Sequence, residues 1–340
     1  MKSPLRPLLA LTTALIGALT VPMANAAPAV PAFKPLPAIH ASDDLWDFAT
    51  WDDAHNRLLV AHGKDVLLID PSAGRVRAIG QIAYAHAVLP VPGKDAILVT
   101  SKLDNTVRIL DGASGAELAR IPVATDPDAT VYSANGRKAY VMAAKAGQIS
   151  VVDMDKMAET GRIALKPGLE VAVLATPTLL AVNNEEENDI ELADLTTGQA
   201  AGTIPMPDCT GPTGLAMAGK TGLALSACAN GKAALVDIVH RKVVQMLPIG
   251  MGPDTVVWDG SHQRFLVPCG ESGHLSIIAM GKSGAHVMPS VATGPNARTA
   301  ALDPATGRIY LPSALLNPTI KGQSRTIVPG SFQIITLTPR

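Results

Sequence analysis

The chain is poor in aromatic residues (3%), holds only three cysteines, and has no charge excess of either sign, its net charge being −1. The near-zero charge argues against a general polyanion binder, which would carry a basic excess or patch. No Cys-x-x-Cys-His motif is present, which excludes covalent c-type haem. There is no Gly-x-Ser-x-Gly elbow, since "GESGH" around Ser272 lacks the second glycine, and there is no P-loop or dinucleotide fingerprint. The eight histidines form no His-x-His or His-x-x-x-His pair, so a histidine-built zinc site is not expected. A quinone made from paired Trp or Cys residues has no precursor. No long segment has a helical period, which excludes solenoids of helix pairs.

What is present begins with a targeting segment. Lys2 and Arg6 precede the apolar "LLALTTALIGALTV", and Ala24-Asn25-Ala26 is a small-x-small cleavage site. Residues 1–26 therefore read as a signal peptide, the alternative being an uncleaved N-terminal anchor. The mature protein is expected in the periplasm or outside the cell, without a membrane span. Residues 27–35 read as a flexible Pro-rich linker, and 36–340 as one domain with a sizeable core, given 47% hydrophobic residues. The 29 Gly and 27 Pro imply many turns.

Those turns punctuate a repeat. "LLVAHGKDVLLIDPSAGRVRAIGQI", "ILVTSKLDNTVRILDGASGAELARI" and "AYVMAAKAGQISVVDMDKMAETGRI" share one pattern of strand, loop, strand, turn and strand. Asp70, Asp111, Asp153, Asp194, Asp237 and Ala279, each expected to close the third strand of its copy, stand 41 to 43 residues apart, and Thr336 follows after 57. A period of about 40 residues with four short strands is a propeller blade. Seven copies predict an all-β, seven-bladed propeller of four-stranded antiparallel blades. The chain ends on a third strand, "SFQIITLTPR", so the segment around Ile39 is expected to supply the missing fourth strand and close the ring, removing exposed edges.

The strands "ILVTS", "AYVMA", "LLAVN" and "RIYLP", and the turns in "VVDMDKMAETGRI" and "LIDPSAGRV", resemble the YncE-like family of YVTN-repeat propellers. The resemblance covers essentially the whole mature chain and implies the same architecture. Relatives of this kind include propeller lactonases, heavy subunits of quinone-dependent amine dehydrogenases and a DNA-binding periplasmic protein, so it selects no single activity.

Two cysteines are expected to pair. Cys209 lies in the loop before an innermost strand and Cys228 at the end of the neighbouring second strand, positions that antiparallel pairing brings together. Cys269 holds the position of Cys228 in the next blade and is expected to be free, and structural use is favoured over a catalytic thiol.

Aligning the blades puts Asp47, His86, Asp128, Glu170, Thr213, Asp254 and Arg298 in register at the start of the innermost strands. Turn capping accounts for Asp128, Thr213 and Asp254 but does not suit His86, Glu170 or Arg298. The acidic run "NNEEEND" (Glu185, Glu186, Glu187, Asp189) and the insertion "SALLNPTIKGQSRTIVPG" are expected in loops on the same face. The expectation is a ligand ring at the channel mouth, with no catalytic residue assigned, taking a small cationic or metal-associated ligand or a protein partner. A divalent metal is the cofactor such carboxylates would take. The rivals are a lactonase-like metal-dependent hydrolase and a pure interaction scaffold. Nucleic acid is not expected as a partner, and a monomer is the expected state.

Overall fold

A computed structural model describes Met1 and residues 32–282, 284–318 and 325–340. The signal-peptide expectation and most of the linker lie outside these residues. The described chain contains twenty-eight strands and no helix, arranged as seven four-stranded antiparallel sheets. Blades 1 to 6 are residues 46–79, 85–122, 127–164, 169–205, 212–248 and 257–292, each built from four consecutive strands. Blade 7 combines residues 301–339 with the N-terminal strand Phe33–His40. The innermost strands touch in sequence around the ring, and that of blade 7 meets that of blade 1.

The alternation of the second strands explains this packing. Leu58 and Val60 point into a cluster shared with blade 7, while Leu59 and Ala61 point into one shared with blade 2. Successive strand residues face opposite sides, so a strand between two blades is apolar on both faces. The core is accordingly seven inter-blade layers rather than one centre. Burial of each Leu, Ile or Val in them contributes about 1.5–3 kcal/mol.

The repeated aspartates have a local cause. Asp70 Oδ1 accepts the backbone N–H groups of Ser72 and Ala73, and Asp153 and Asp194 bind the equivalent donors after their own strands. Each aspartate thus ends its strand and folds the turn to the fourth. Ala279 and Thr336 do not close their strands, which run on to Gly281 and Pro339. Neither side chain carries the carboxylate that collects the turn's N–H groups.

Closure is made by Phe33–His40 pairing with Gln333–Pro339, from Phe33↔Pro339 to His40↔Gln333, with a bulge between Leu36 and Ile39. Pro35 and Pro37 are tolerated because this is an outer strand. Phe33, expected in the linker, is 1% exposed in the layer between blades 6 and 7, and the Arg264 guanidinium lies 4.6 Å over its ring. The strand therefore begins three residues before the expected boundary, because the burial of Phe33 anchors it.

Candidate functional site

One turn recurs at the top of six blades. Two residues before each ring position the backbone is left-handed: Tyr84 (φ 70°), Asp126 (66°), Gly168 (92°), Gly211 (57°), Gly252 (69°) and Asn296 (57°). In five of them the carbonyl of that residue accepts the N–H that follows the second strand: Lys102 to Tyr84 (2.9 Å), Ala144 to Asp126 (3.0 Å), Glu185 to Gly168 (2.9 Å), Ala229 to Gly211 (3.0 Å) and Gly270 to Gly252 (2.8 Å). The latch ties the loop between second and third strands to the start of the innermost strand, fixing how each ring side chain leaves the backbone. Asp254 and Arg298 precede their strands Val257–Asp259 and Ala301–Leu302, and the other five lie within theirs.

Five of the seven ring residues converge on one another across blades. Arg298 Nε donates to Asp254 Oδ2 (2.7 Å), and its Nη2 lies 3.7 Å from Asp47 Oδ1 and donates to the Trp46 carbonyl (3.1 Å). His86 Nδ1 stands 3.2 Å from Asp47 Oδ2 and 3.1 Å from Asp128 Oδ1, but neither contact is aligned as a hydrogen bond, so the nitrogen faces both carboxylates without committing to one. Lys102 Nζ continues the chain, 3.5 Å from Asp128 Oδ2 and 3.4 Å from Asp126 Oδ1. From blade 6 through blades 7, 1 and 2 to blade 3 the charges alternate in sign. Asp47, His86 and Asp128 are the buried members of this chain, and removing one partner of a buried pair costs about 3–5 kcal/mol.

The titration of the ring follows from this order. Burial pushes Asp47 up to about 7, against the pull of His86 and Arg298. Burial also raises Asp254, only partly offset by Arg298. For Asp128 burial acts upward too, yet His86 and Lys102 outweigh it and hold its carboxyl below the usual range. Burial opposes the charged form of His86, but Asp128 and Asp47 raise its pKa nonetheless.

Glu170 and Thr213 stand outside the chain of pairs. Thr213 is neutral, its Oγ1 donating to the Pro253 carbonyl (3.0 Å). Glu170 has no ion-pair or hydrogen-bond partner for its carboxylate among the described residues. Burial, followed by the charges of Asp128, Asp254, Glu185 and Asp47, drives its pKa well above the usual value. Glu185 is raised by burial and by Asp128 in the same way. The rest of the acidic run disperses. Glu187 pairs with Lys166 Nζ (2.5 Å), while Asp189 begins the third strand rather than sitting in the loop.

The ring carries both signs of charge, Arg298, Lys102 and His86 being threaded between its carboxylates. Among the described residues no group of three or more His, Cys, Asp or Glu side chains is set to hold a metal ion. Of the expected insertion, Leu316 bridges Ile327, and Leu316 and Arg325 join Asp254, Asn296 and Arg298 around a cleft of about 410 Å³. Tyr84, Lys102 and Asp126 lie against the ring, Tyr84 on His86 and Lys102 between Asp126 and Asp128, and the strand-start alignment passed over them. The signal for Tyr84 and Asp126 was present in that alignment, two positions upstream, where four of the other five positions carry Gly or Asn and blade 1 carries Leu45.

The expected Cys209–Cys228 disulfide is formed, with a Cα separation of 5.3 Å, and Cys269 is free and buried. Such a bond persists in an oxidising compartment. No helix among the described residues is long and apolar enough to cross a membrane.

No protein-family model and no curated protein matches the chain. Solved structures resemble it in shape. A chain of a mitotic checkpoint complex superposes with a TM-score of 0.74 at 14% identity, over 97% of this chain and 99% of its own length. The WD40 repeats of RRP9 give 0.77 at 6% identity, over 89% and 97%. The hydrazine synthase of Kuenenia stuttgartiensis gives 0.69 at 14%, over 85% and 97%. At these identities the likeness establishes the propeller fold alone.

Proposed function

We propose that this seven-bladed propeller is an exported binding module of YncE-like type whose channel mouth takes a cationic group, carried by a small molecule or by a protein partner. One observation carries the reading. Asp47, His86, Asp128, Asp254 and Arg298 are ion-paired across blades, whereas the Glu170 carboxylate has no ion-pair or hydrogen-bond partner among the described residues and is pushed up by burial and by Asp128, Asp254 and Glu185. A bound cation supplies the missing partner and draws Glu170 into its charged form. The disulfide supports export, and the YVTN-like strands and turns support the lineage.

A protein-borne cation is compatible with the fold, one structural neighbour being a chain of a mitotic checkpoint complex. The hydrolase reading is weaker, because Asp47 and Asp128 share His86 and Asp254 is bonded to Arg298, so these carboxylates are not free to converge on a metal. Thermal unfolding of wild type and Glu170→Gln, with and without a panel of amines and divalent ions, tests the proposal. A stabilising ligand should shift the wild type by RT ln(1 + [L]/Kd) and the variant far less. An equal shift in both, or none in the wild type, would sink it.

A further inference from the structure

The face of the ring opposite the charges has a notch. Each blade turns there from its innermost strand into its second. In blade 3 that turn is residues 134–137 and in blade 5 residues 218–222, but in blade 4 the strands Leu169–Thr176 and Leu179–Asn184 leave only Pro177 and Thr178 between them. Every other lower turn, from residues 53–56 of blade 1 to 303–308 of blade 7, carries an ionisable side chain, and this one carries none. The short turn leaves blade 4 uncovered between its neighbours, and a cavity of about 770 Å³ opens there. It is lined by Leu174 and Pro177 of blade 4, Tyr132 of blade 3, and Met217 and Val239 of blade 5. Tyr132, Leu174 and Met217 are half-buried and Val239 is 66% exposed, so these walls are apolar surface that the fold leaves unfilled.

One charge lines the cavity. Lys220, in the long turn of blade 5, has no ion-pair or hydrogen-bond partner among the described residues. The charges around the rim are already matched: Arg137 is paired with Asp155 (2.7 Å), and Asp237 with His240 (2.7 Å) beside Lys242. The cleft beside Arg298 is built differently, with Asp254, Glu271, Arg298 and Arg325 all in its walls. Mainly apolar walls with a few polar groups, enclosing several hundred Å³, are the usual build of a small-molecule site.

We infer that this notch is a second binding site, for a small apolar carboxylate, an alkyl or aryl acid whose tail lies on Leu174, Met217 and Val239 and whose carboxylate meets the Lys220 ammonium. The lysine sets the sign of the head group, since an anion is the partner it lacks. The walls set the tail, each buried CH₂ raising affinity by up to about fourfold. Lysine suits the rim, its stem lying along the apolar wall while the ammonium stays in water. The turns of blades 3 and 5 bound the notch on both sides, which favours a small molecule over a protein surface. The site lies on the opposite face from Glu170 and is independent of the cationic-mouth reading.

Calorimetric titration of the purified protein with octanoate, octanol and octylammonium tests the site. Wild type should bind octanoate best and octylammonium least. Lys220→Met keeps an apolar stem in an exposed turn and should leave the fold intact. It should weaken octanoate about tenfold and leave octanol unchanged. Lys220→Glu should reverse the preference between octanoate and octylammonium. Val239→Asp, at an exposed position in the wall, should weaken both octanoate and octanol. Octanoate binding to Lys220→Met as tight as to wild type would show that the head group is not read here and overturn the site. So would octanoate binding that survives Val239→Asp unchanged, which would place the ligand elsewhere, or a wild type that binds no octanoate.

Discussion

Blade 6 carries half of a disulfide, and the other half can be restored by a single substitution. Cys209 stands two residues before Gly211-Pro212, and Cys228 pairs with Pro212. In blade 6, Gly250 stands two residues before Gly252-Pro253, and Cys269 bridges Pro253. Gly250→Cys should therefore form a bond to Cys269 in the geometry of its neighbour. A Cβ built at Gly250 falls 2.6 Å from Cys269 Cβ, short of the roughly 3.8 Å that a disulfide needs. The two strands must open by about 1 Å, and His274, whose Nε2 lies 2.6 Å from the same point, must rotate away. Closing a loop of about 20 residues restricts the unfolded chain by about 3 kcal/mol, and the local repacking costs about 1 kcal/mol. The net gain of about 2 kcal/mol corresponds to about 3 °C in Tm for a chain of this size. Scanning calorimetry of the oxidised and reduced variant measures the gain, and mass spectrometry of a non-reduced digest identifies the bond. If residues 250 and 269 remain thiols under oxidant, or the oxidised form melts below the reduced one, blades 5 and 6 are not equivalent at this turn.

Two further perturbations probe the ring and its closure. Because burial raises Asp47 to about 7, the folded state keeps a proton that the unfolded chain releases above about pH 4. Its contribution to stability is thus fully present in acid and is lost as pH rises from about 4 to about 7, so Asp47→Asn should flatten that part of the urea-unfolding profile. An undiminished slope in the variant would assign the pH dependence elsewhere. Phe33→Ala removes the buried anchor of the closing strand and should cost about 3–5 kcal/mol by denaturant titration. A loss below about 1 kcal/mol would mean that strand pairing alone holds the ring shut.

Architecture was readable because it is periodic. Asp70, Asp111, Asp153, Asp194 and Asp237 recur for a reason that acts within three residues of each, so the ruler needs no three-dimensional knowledge. The same register aligned Asp47, His86, Asp128, Asp254 and Arg298, which come into contact with one another across blades. It could not reveal that they neutralise one another, because each partner comes from a different blade. Nor could it separate Glu170 from its neighbours, since isolation is a property of surroundings rather than of residue type. Asp189 was read as part of a loop because it follows three glutamates, although cross-strand pairing with Asn184 and Pro205 makes it strand. Phe33 was lost among prolines, its burial being decided by Leu266 and Leu337 far along the chain.

The closing strand also sets an order of assembly. Blades 1 to 6 draw all their pairings from short stretches of sequence, and such local hairpins form early. Blade 7 joins Phe33 to Pro339, and Arg340 donates its backbone N–H to Ala32 (3.2 Å). The strand made first must wait, unpaired, until the last strand has been synthesised, and the ring cannot become cooperative before then. Because the two ends meet, the wait is an accident of where the chain is cut rather than of the fold. A circular permutant opened between residues 122 and 127 and joined through the present termini would make every blade from contiguous sequence, and should complete the ring faster without any change in its final form.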